Sequence, residues 1–337
     1  MALVVVDADV LGRRRTGEET YVANLLRELP AAAPELRFAA VTRYPELVPA
    51  GVEAVALPAR FQETRMAWSL PRLLRRLSPD VAHFQHALPL RFGGRTVVTL
   101  HDLHFERDAS RMGFLDRLTF KAVVPRAARR ADAVLAVSER TKEDAVELYR
   151  VPPAKVAVTP HGVDPAFTPG TAPTGSYLLF VGAIQARKNP LAAADAARAV
   201  GMPLVVAGPE KEPALARQLR ARGAEVRGWV EQTELVELFR GAAALVWPSR
   251  YEGFGLPVLE AMACGTPVVL SQDPALREVA GDAAVYAANG DYAAAVETAV
   301  RDRERLVAAG LARAARFTWR ETARLTVDVY RRVLASR

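Results

Sequence analysis

Cysteine occurs once in the 337 residues, as Cys264, so no internal disulfide is available and a reducing, cytoplasmic compartment is expected. Long apolar runs are missing too: nothing approaches the roughly 20 uninterrupted apolar residues of a membrane-spanning helix. The opening segment, MALVVVDADV, turns acidic after a short apolar run, which argues against a secretory leader. Clusters of Cys and His at zinc-ligand spacing do not occur. Lysine is scarce, with only Lys121, Lys142, Lys155, Lys188 and Lys211 among 45 basic side chains, so arginine carries the net charge of +7. That charge is spread evenly, with 24 basic and 20 acidic side chains in residues 1–165 against 21 and 18 in residues 166–337. A nucleic-acid binder concentrates its positive charge, so no nucleic-acid partner is expected. Internal repeats and low-complexity tracts are also absent.

What is present is apolar and periodic. Half of the residues are hydrophobic, and the length suits two domains of about 150 residues rather than one core. Strand-like runs recur at residues 3–6, 38–41, 52–57, 81–84, 96–100 and 133–137, with helical stretches between most of them. That alternation predicts a parallel α/β sheet. Residues 12–17 read as a loop and 21–29 as a helix, with Tyr21, Val22, Leu25, Leu26 and Leu29 on its apolar face. Strand, glycine loop and helix open a doubly wound unit, whose ligands gather at the carboxyl ends of the strands. A breaker-rich stretch containing Pro160, Gly162, Pro165, Pro169, Gly170, Pro173 and Gly175 marks a boundary. A second series follows, with strands at 177–181, 204–207 and 242–247, and residues 316–334 close the chain as an amphipathic helix.

Residues 249–273, SRYEGFGLPVLEAMACGTPVVLSQD, are the densest in special residues. The strand at 242–247 stops at Pro248 and Ser249, Gly253 and Gly255 loosen the backbone, and Pro257 sits where a first helical turn begins. Val258, Leu259, Met262 and Ala263 follow at helical spacing before Gly265 ends the helix. Unsatisfied N–H groups at such a helix start suit an anion such as a diphosphate. Glu252 in the loop and Glu260 inside the helix repel phosphate and are suited instead to accept hydrogen bonds from sugar hydroxyls. Arg187 and Lys188 lie past another strand end, on a loop opposite those glycines in one sheet, which makes them candidate diphosphate ligands.

The run EGFGLPVLEAMACGTPVV resembles the signature of retaining glycosyltransferase family 4, whose members have the two-domain GT-B fold, and PHGVD at 160–164 resembles the family's hinge-side motif. The resemblance covers nearly the whole chain, most strongly 156–189 and 245–272. It implies an α/β architecture of two Rossmann-like doubly wound domains facing across a cleft. Residues 1–165, with a returning C-terminal helix at 318–335, would bind the acceptor, and 166–317 the nucleotide-sugar donor. It implies further that Lys188 and Arg187 stabilise the diphosphate, that Glu252 faces the donor sugar and that Glu260 holds the ribose. Gly253, Phe254, Gly255 and Leu256 would form the donor loop, Gly182 the strand-end glycine, and Trp229 and Val230 the backbone that reads the base. TGEETYV resembles the family's loop over the diphosphate, with Gly17 matching and Glu19 in place of a second glycine. Ala183 occupies the place of the family's arginine, for which Arg187 would substitute. His101, after the strand TVVTL, maps to the histidine that contacts the donor sugar, and Asp102 and Ser138 to the acceptor side.

The function so implied is transfer of a hexosyl group, with retention, from a nucleotide diphosphate sugar to a hydroxyl of a glycan, lipid-linked or small-molecule acceptor. The turn VGAIQARKNP, similar to those of bacterial mannosyl- and related hexosyltransferases, points to GDP-mannose or a UDP-hexose. Neither a metal nor another cofactor is expected. Asp7-Ala8-Asp9 matches the metal-binding D-x-D of the other major glycosyltransferase fold, but at the end of the first strand it reads as a chance match. Arg13 to Arg15 are either a solvated run or an anion clamp. Residues 61–77, with Arg65, Arg72, Arg75, Arg76 and Trp68, and residues 107–130, with Arg107, Arg111, Arg117, Lys121, Arg126, Arg129 and Arg130, are either solvated helix faces or surfaces drawn to an anionic membrane. Cys264 reads as packing. Two rival readings remain: a GT-B epimerase or phosphorylase, the latter needing a pyridoxal lysine, and a catalytically silent binding subunit, which would be expected to lose Glu252, Glu260 and Lys188.

Overall fold

The computed structural model describes residues 1–13, 16–59, 61–107, 114–170 and 175–336. Two compact units result, one formed by Met1–Gly162 with Trp319–Arg337 and the other by Val163–Thr318.

The first unit is built on seven parallel strands: β1 (Leu3–Asp7), β2 (Arg37–Thr42), β3 (Glu53–Ala56), β4 (Val81–Gln85), β5 (Thr96–Leu100), β6 (Ala133–Ala136) and β7 (Val156–Val158). Their spatial order is β3-β2-β1-β4-β5-β6-β7. LVVVD and TVVTL are apolar without alternation because these strands are covered on both faces. The first helix, α1 (Thr16–Ala32), starts earlier than the sequence pattern predicts and takes Gly17 into its first turn. Glu19 accepts a hydrogen bond from the Gly12 amide at 2.7 Å, which ties the loop to the helix start where an acid is favoured. The C-terminal helix, Trp319–Ala335, belongs to this unit and packs on α1. Its Tyr330 hydroxyl lies 2.6 Å from His83 Nδ1, and His83 Nε2 lies 2.7 Å from the Thr99 hydroxyl. Burial pushes His83 down to about 3, so this buried link is neutral.

Residues 62–77 form a continuous helical run, but not all of its basic side chains face solvent. The run divides into α2 (Gln62–Thr64), a π-helical turn (Arg65–Ser69) and α3 (Leu70–Leu77). Arg72, Arg75 and Arg76 are exposed, but Arg65 is fully buried. Its Nη2 and Nη1 donate to the Asp7 carboxylate at 2.6 and 3.0 Å, and its Nε stands 3.5 Å from Asp9. Asp9 also pairs with Arg43 at 2.9 Å and with Arg13. Two buried carboxylates at the end of β1 need counter-charge, and that need draws Arg65 inward. Arg13 is thus engaged with Asp9, while Arg14 and Arg15 lie outside the described residues. The unit continues through α4 (His104–Arg107), α5 (Phe114–Arg130) and α6 (Glu139–Tyr149). Arg111, part of the second basic segment, also lies outside the described residues.

The second unit carries six parallel strands: β8 (Tyr177–Val181), β9 (Leu204–Ala207), β10 (Glu225–Gly228), β11 (Ala242–Trp247), β12 (Val268–Leu270) and β13 (Val285–Tyr286). Their order is β10-β9-β8-β11-β12-β13. Helices α7 (Pro190–Ala199), α8 (Pro213–Ala221), α9 (Gln232–Gly241), α10 (Leu256–Ala263), α11 (Pro274–Ala280), α12 (Tyr292–Arg301) and α13 (Arg303–Ala314) connect and follow them. Strand order runs outward one way from β8 and the other way from β11. Between these two strands lies the topological switch point, where an open α/β sheet leaves a crevice at the strand carboxyl ends. Of the boundary stretch, residues 171–174, with Pro173, lie outside the described residues.

Candidate active site

The loops leaving β8 and β11 bring the charged residues of the second unit together at that switch point. After β8 the chain makes a short 3₁₀ turn, Ala186–Lys188, and Asn189 in a left-handed conformation leads into α7. Lys188 Nζ donates to both oxygens of Glu252, at 2.6 and 2.9 Å, with 12% and 8% of the two side chains exposed. Its ammonium lies 4.5 Å from the centroid of the Trp247 ring, the last residue of β11. Arg187 is present but turned onto the backbone: Nη1 donates to the Tyr251 carbonyl at 3.2 Å, and its own carbonyl accepts from the Arg250 amide at 2.9 Å. Lys188 is therefore the cation that meets a carboxylate here, and Arg187 ties the two loops to each other.

Gly255 caps α10 with φ of +106°, and a Cβ there would come within 2.8 Å of Leu276 Cδ2. The positive φ favours glycine here, and it turns the chain from Gly253 and the buried Phe254 into Leu256, the first residue of α10. Eight positions beyond Glu252, Glu260 sits inside α10. Burial first, and the charge of Asp164 second, raise its carboxyl to about 8. Asp273 joins the group from the other side. It accepts from the Glu252 amide at 3.4 Å and caps α11 through Ala275 N at 2.9 Å and Leu276 N at 3.4 Å. Burial and then Glu252 lift it to about 6 against these amide donors. Gly182 ends β8 beside Trp247, whereas Trp229 (40% exposed) and Val230 follow β10 at the sheet edge, with β9 between them and β8.

In the first unit the strand ends carry histidine. His101 Nε2 lies 2.8 Å from Gln85 Oε1, and its ring meets His86 at 5.2 Å, Tyr21 at 4.9 Å and His161 at 5.8 Å. Burial, and then the neighbouring His86, push His101 down to about 4, so its imidazole is neutral at pH 7. Burial opposes protonation of His86 too, but Glu18 at 3.2 Å and the charge of Asp102 outweigh it and raise that residue. Asp102 accepts from or pairs with His104 Nδ1 at 2.7 Å. Ser138, expected on the acceptor side, is fully buried, and its hydroxyl caps α6 by accepting from Thr141 N at 3.0 Å. That role follows from its place just before a helix, where a serine oxygen is the favoured cap.

Three neighbours were not singled out from the sequence. Asp273 had a signal, since Asp-Pro before an apolar run is a helix start. Trp247 read only as the end of a strand, and Asp164 only as part of the PHGVD motif.

Two parallel, doubly wound α/β units, with a terminal helix that returns to the first, define a protein of the GT-B fold. The chain belongs to glycosyltransferase family 4: the family model described as Glycosyltransferase Family 4 matches residues 15–167 and that of Glycosyl transferases group 1 matches residues 167–313. It is 31% identical over 231 residues to the O-antigen chain mannosyltransferase B of Escherichia coli, covering 60% of this chain and 61% of that protein. To a D-inositol 3-phosphate glycosyltransferase of Kineococcus radiotolerans it is 34% identical over 255 residues, covering 61% of this chain and 58% of that one. The matches thus span about three fifths of these relatives' lengths. Sucrose-phosphate synthase from Thermosynechococcus elongatus superposes with a TM-score of 0.79 over 99% of this chain and 100% of that chain at 19% identity. An Anabaena protein, HepE, solved in complex with UDP and glucose, gives 0.73 over 98% and 99% at 14% identity. At such identities these two likenesses speak for the fold alone.

Proposed function

We propose that the protein transfers a hexosyl group from a nucleotide diphosphate sugar to an acceptor hydroxyl, with retention and without a metal ion. The observation that carries this is the meeting of Lys188, Glu252 and the start of α10 at the switch point of the second unit. Lys188 and the helix-start amides oppose the negative charge that grows on the departing diphosphate. Glu252 and Glu260 take the sugar and ribose hydroxyls, as the family resemblance implies, and the same resemblance gives the neutral His101 a sugar-contacting role and Asp102 an acceptor-side one. Both Glu252 oxygens hold Lys188, which leaves that carboxylate poorly placed as a nucleophile. In a same-face displacement none is needed: the anomeric carbon–phosphate oxygen bond breaks, the bond to the acceptor oxygen forms, and the acceptor proton passes to the departing phosphate. The donor in this reading is GDP-mannose or a UDP-hexose, and the likeness to an O-antigen chain mannosyltransferase and a D-inositol 3-phosphate glycosyltransferase supports a hexosyl group and a glycan or polyol acceptor. A thermal-shift panel of UDP-, GDP- and ADP-sugars tests the donor. Stabilisation by at least one of them is expected, and no response to any would count against the reading.

Among the described residues no group of three or more His, Cys, Asp or Glu could hold a metal ion. With Lys188 opposing the diphosphate, turnover is expected to survive excess EDTA. Loss of activity in chelator with recovery on adding magnesium or manganese would refute that expectation.

Glu260 gives the reaction a pH signature. Its raised carboxyl is largely protonated at pH 7, and ionisation as the pH passes about 8 makes it a better acceptor for ribose hydroxyls. The value of kcat/KM for donor should therefore rise between pH 6 and 9, since this ratio reports groups in the unliganded enzyme. Glu260→Gln should flatten the rise, and a rise that persists in that variant would remove Glu260 from this role.

The membrane reading rests on the first unit's surface. Trp68 (51% exposed) has Arg72 and Arg91 stacked at 5.4 and 5.3 Å, with Phe61 (57%) and Leu90 (61%) also exposed. Among the described residues no helix is long and apolar enough to cross a membrane, so the association proposed is peripheral. Flotation with anionic vesicles that fades as salt is added is expected; equal recovery with neutral vesicles would leave only solvated faces.

A further inference from the structure

We infer that Trp247 is a positioning residue for Lys188. This rests on the reading of Lys188 as the cation opposing the diphosphate, and it assigns that cation its support. A carboxylate that holds an ammonium also cancels its charge, so Glu252 alone would locate Lys188 while weakening it toward a second anion. An indole face attracts the cation through the ring quadrupole and leaves the full positive charge in place. Trp247 is built for this. It is buried, its ring stacks at 5.2 Å and 27° on Phe180 of β8, and the Lys188 ammonium lies over it at 4.5 Å. Its Nε1 finds no hydrogen-bond partner among the described residues, so the ring is not held in place by a polar bond of its own. The backbone also makes room for it: Gly182 has φ of +142°, and a Cβ there would meet Trp247 Cη2 at 2.8 Å. The strand-end glycine thus follows from the indole beside it. A carboxylate and a ring face thus both hold this ammonium, and of the two only the carboxylate repels an incoming phosphate.

The scarcity of lysine makes the test direct. With five lysines in the chain, labelling by acetic anhydride across a pH series, read by peptide mass spectrometry, follows Lys188 individually against Lys121, Lys142, Lys155 and Lys211. In Trp247→Leu the ammonium loses its face, and the pH at which Lys188 becomes reactive should fall by roughly half a unit or more. Trp247→Phe keeps a weaker face and should fall between Leu and wild type, which preserves the test if the Leu variant does not fold. The other four lysines should not move. A Lys188 midpoint unchanged in both variants overturns the inference. Turnover then separates this from the underlying reading: Trp247→Leu should lower kcat about tenfold with little change in donor KM, and should add nothing to the loss in Lys188→Ala. Additive losses would show that Trp247 acts independently of Lys188. A Lys188→Ala enzyme of normal kcat would sink the reading of the site while leaving the labelling result intact.

Discussion

Lys188→Ala is expected to lower kcat by about 10²–10³ while KM for the donor changes little, since removing one preorganised electrostatic contact at a site of developing charge has that effect. The charge on the diphosphate grows along the reaction, so a cation there binds the transition state better than the bound donor. Glu260→Ala should do the opposite, raising KM more than it lowers kcat, because ribose contacts change little between ground and transition state. One structural consequence must be separated from the chemistry. Without Lys188, the Glu252 carboxylate stays buried at 8% exposure beside Asp273, which already lies within hydrogen-bond reach of the Glu252 amide. Thermal melting of Lys188→Ala therefore belongs beside the kinetics, and the double variant Lys188→Ala/Glu252→Gln should recover any lost stability without recovering kcat. Near-normal kcat in Lys188→Ala would place the leaving group elsewhere.

Arg65→Met should destabilise the first unit by about 3–5 kcal/mol, the usual consequence of removing one partner from a buried ion pair. Arg65 is fully buried and donates twice to Asp7, and its loss leaves Asp7 with no other cation partner among the described residues and Asp9 with Arg13 and Arg43. Most of the penalty comes from the stranded Asp7 charge rather than from the bond itself. Arg65→Met combined with Asp7→Leu should accordingly be less damaging than Arg65→Met alone. Denaturant unfolding of the single and double variants checks this. A single variant within 1 kcal/mol of wild type would mean that the carboxylates find water or other partners.

These two cases also mark where the sequence is legible. Apolar runs that are buried on both faces, such as 96–100 and 242–247, need no tertiary information, and they appear as β5 and β11. The stretch 249–273 was readable because its glycines, proline and carboxylates act within one loop and one helix. Arg65 was misplaced because its neighbours in the chain, Arg72 and Trp68, do face solvent, whereas its partner Asp7 lies 58 positions away. Ser138 was read by its place at a strand end, but local capping chemistry claims its hydroxyl. Trp247 and Gly182 gain meaning only as a pair brought together by adjacent strands, β11 and β8, that are distant in sequence.

The most direct test of the central claim is to follow, by NMR, the products of the wild-type enzyme and Lys188→Ala with UDP-glucose, UDP-galactose and GDP-mannose in the presence of EDTA and a polyol acceptor. The account predicts release of the nucleoside diphosphate from at least one donor, a product that keeps the donor's anomeric configuration, and a rate at least a hundredfold lower in the variant, in line with the roughly 10²–10³ attached to such a contact. An inverted product, or equal rates in the two enzymes, would contradict it.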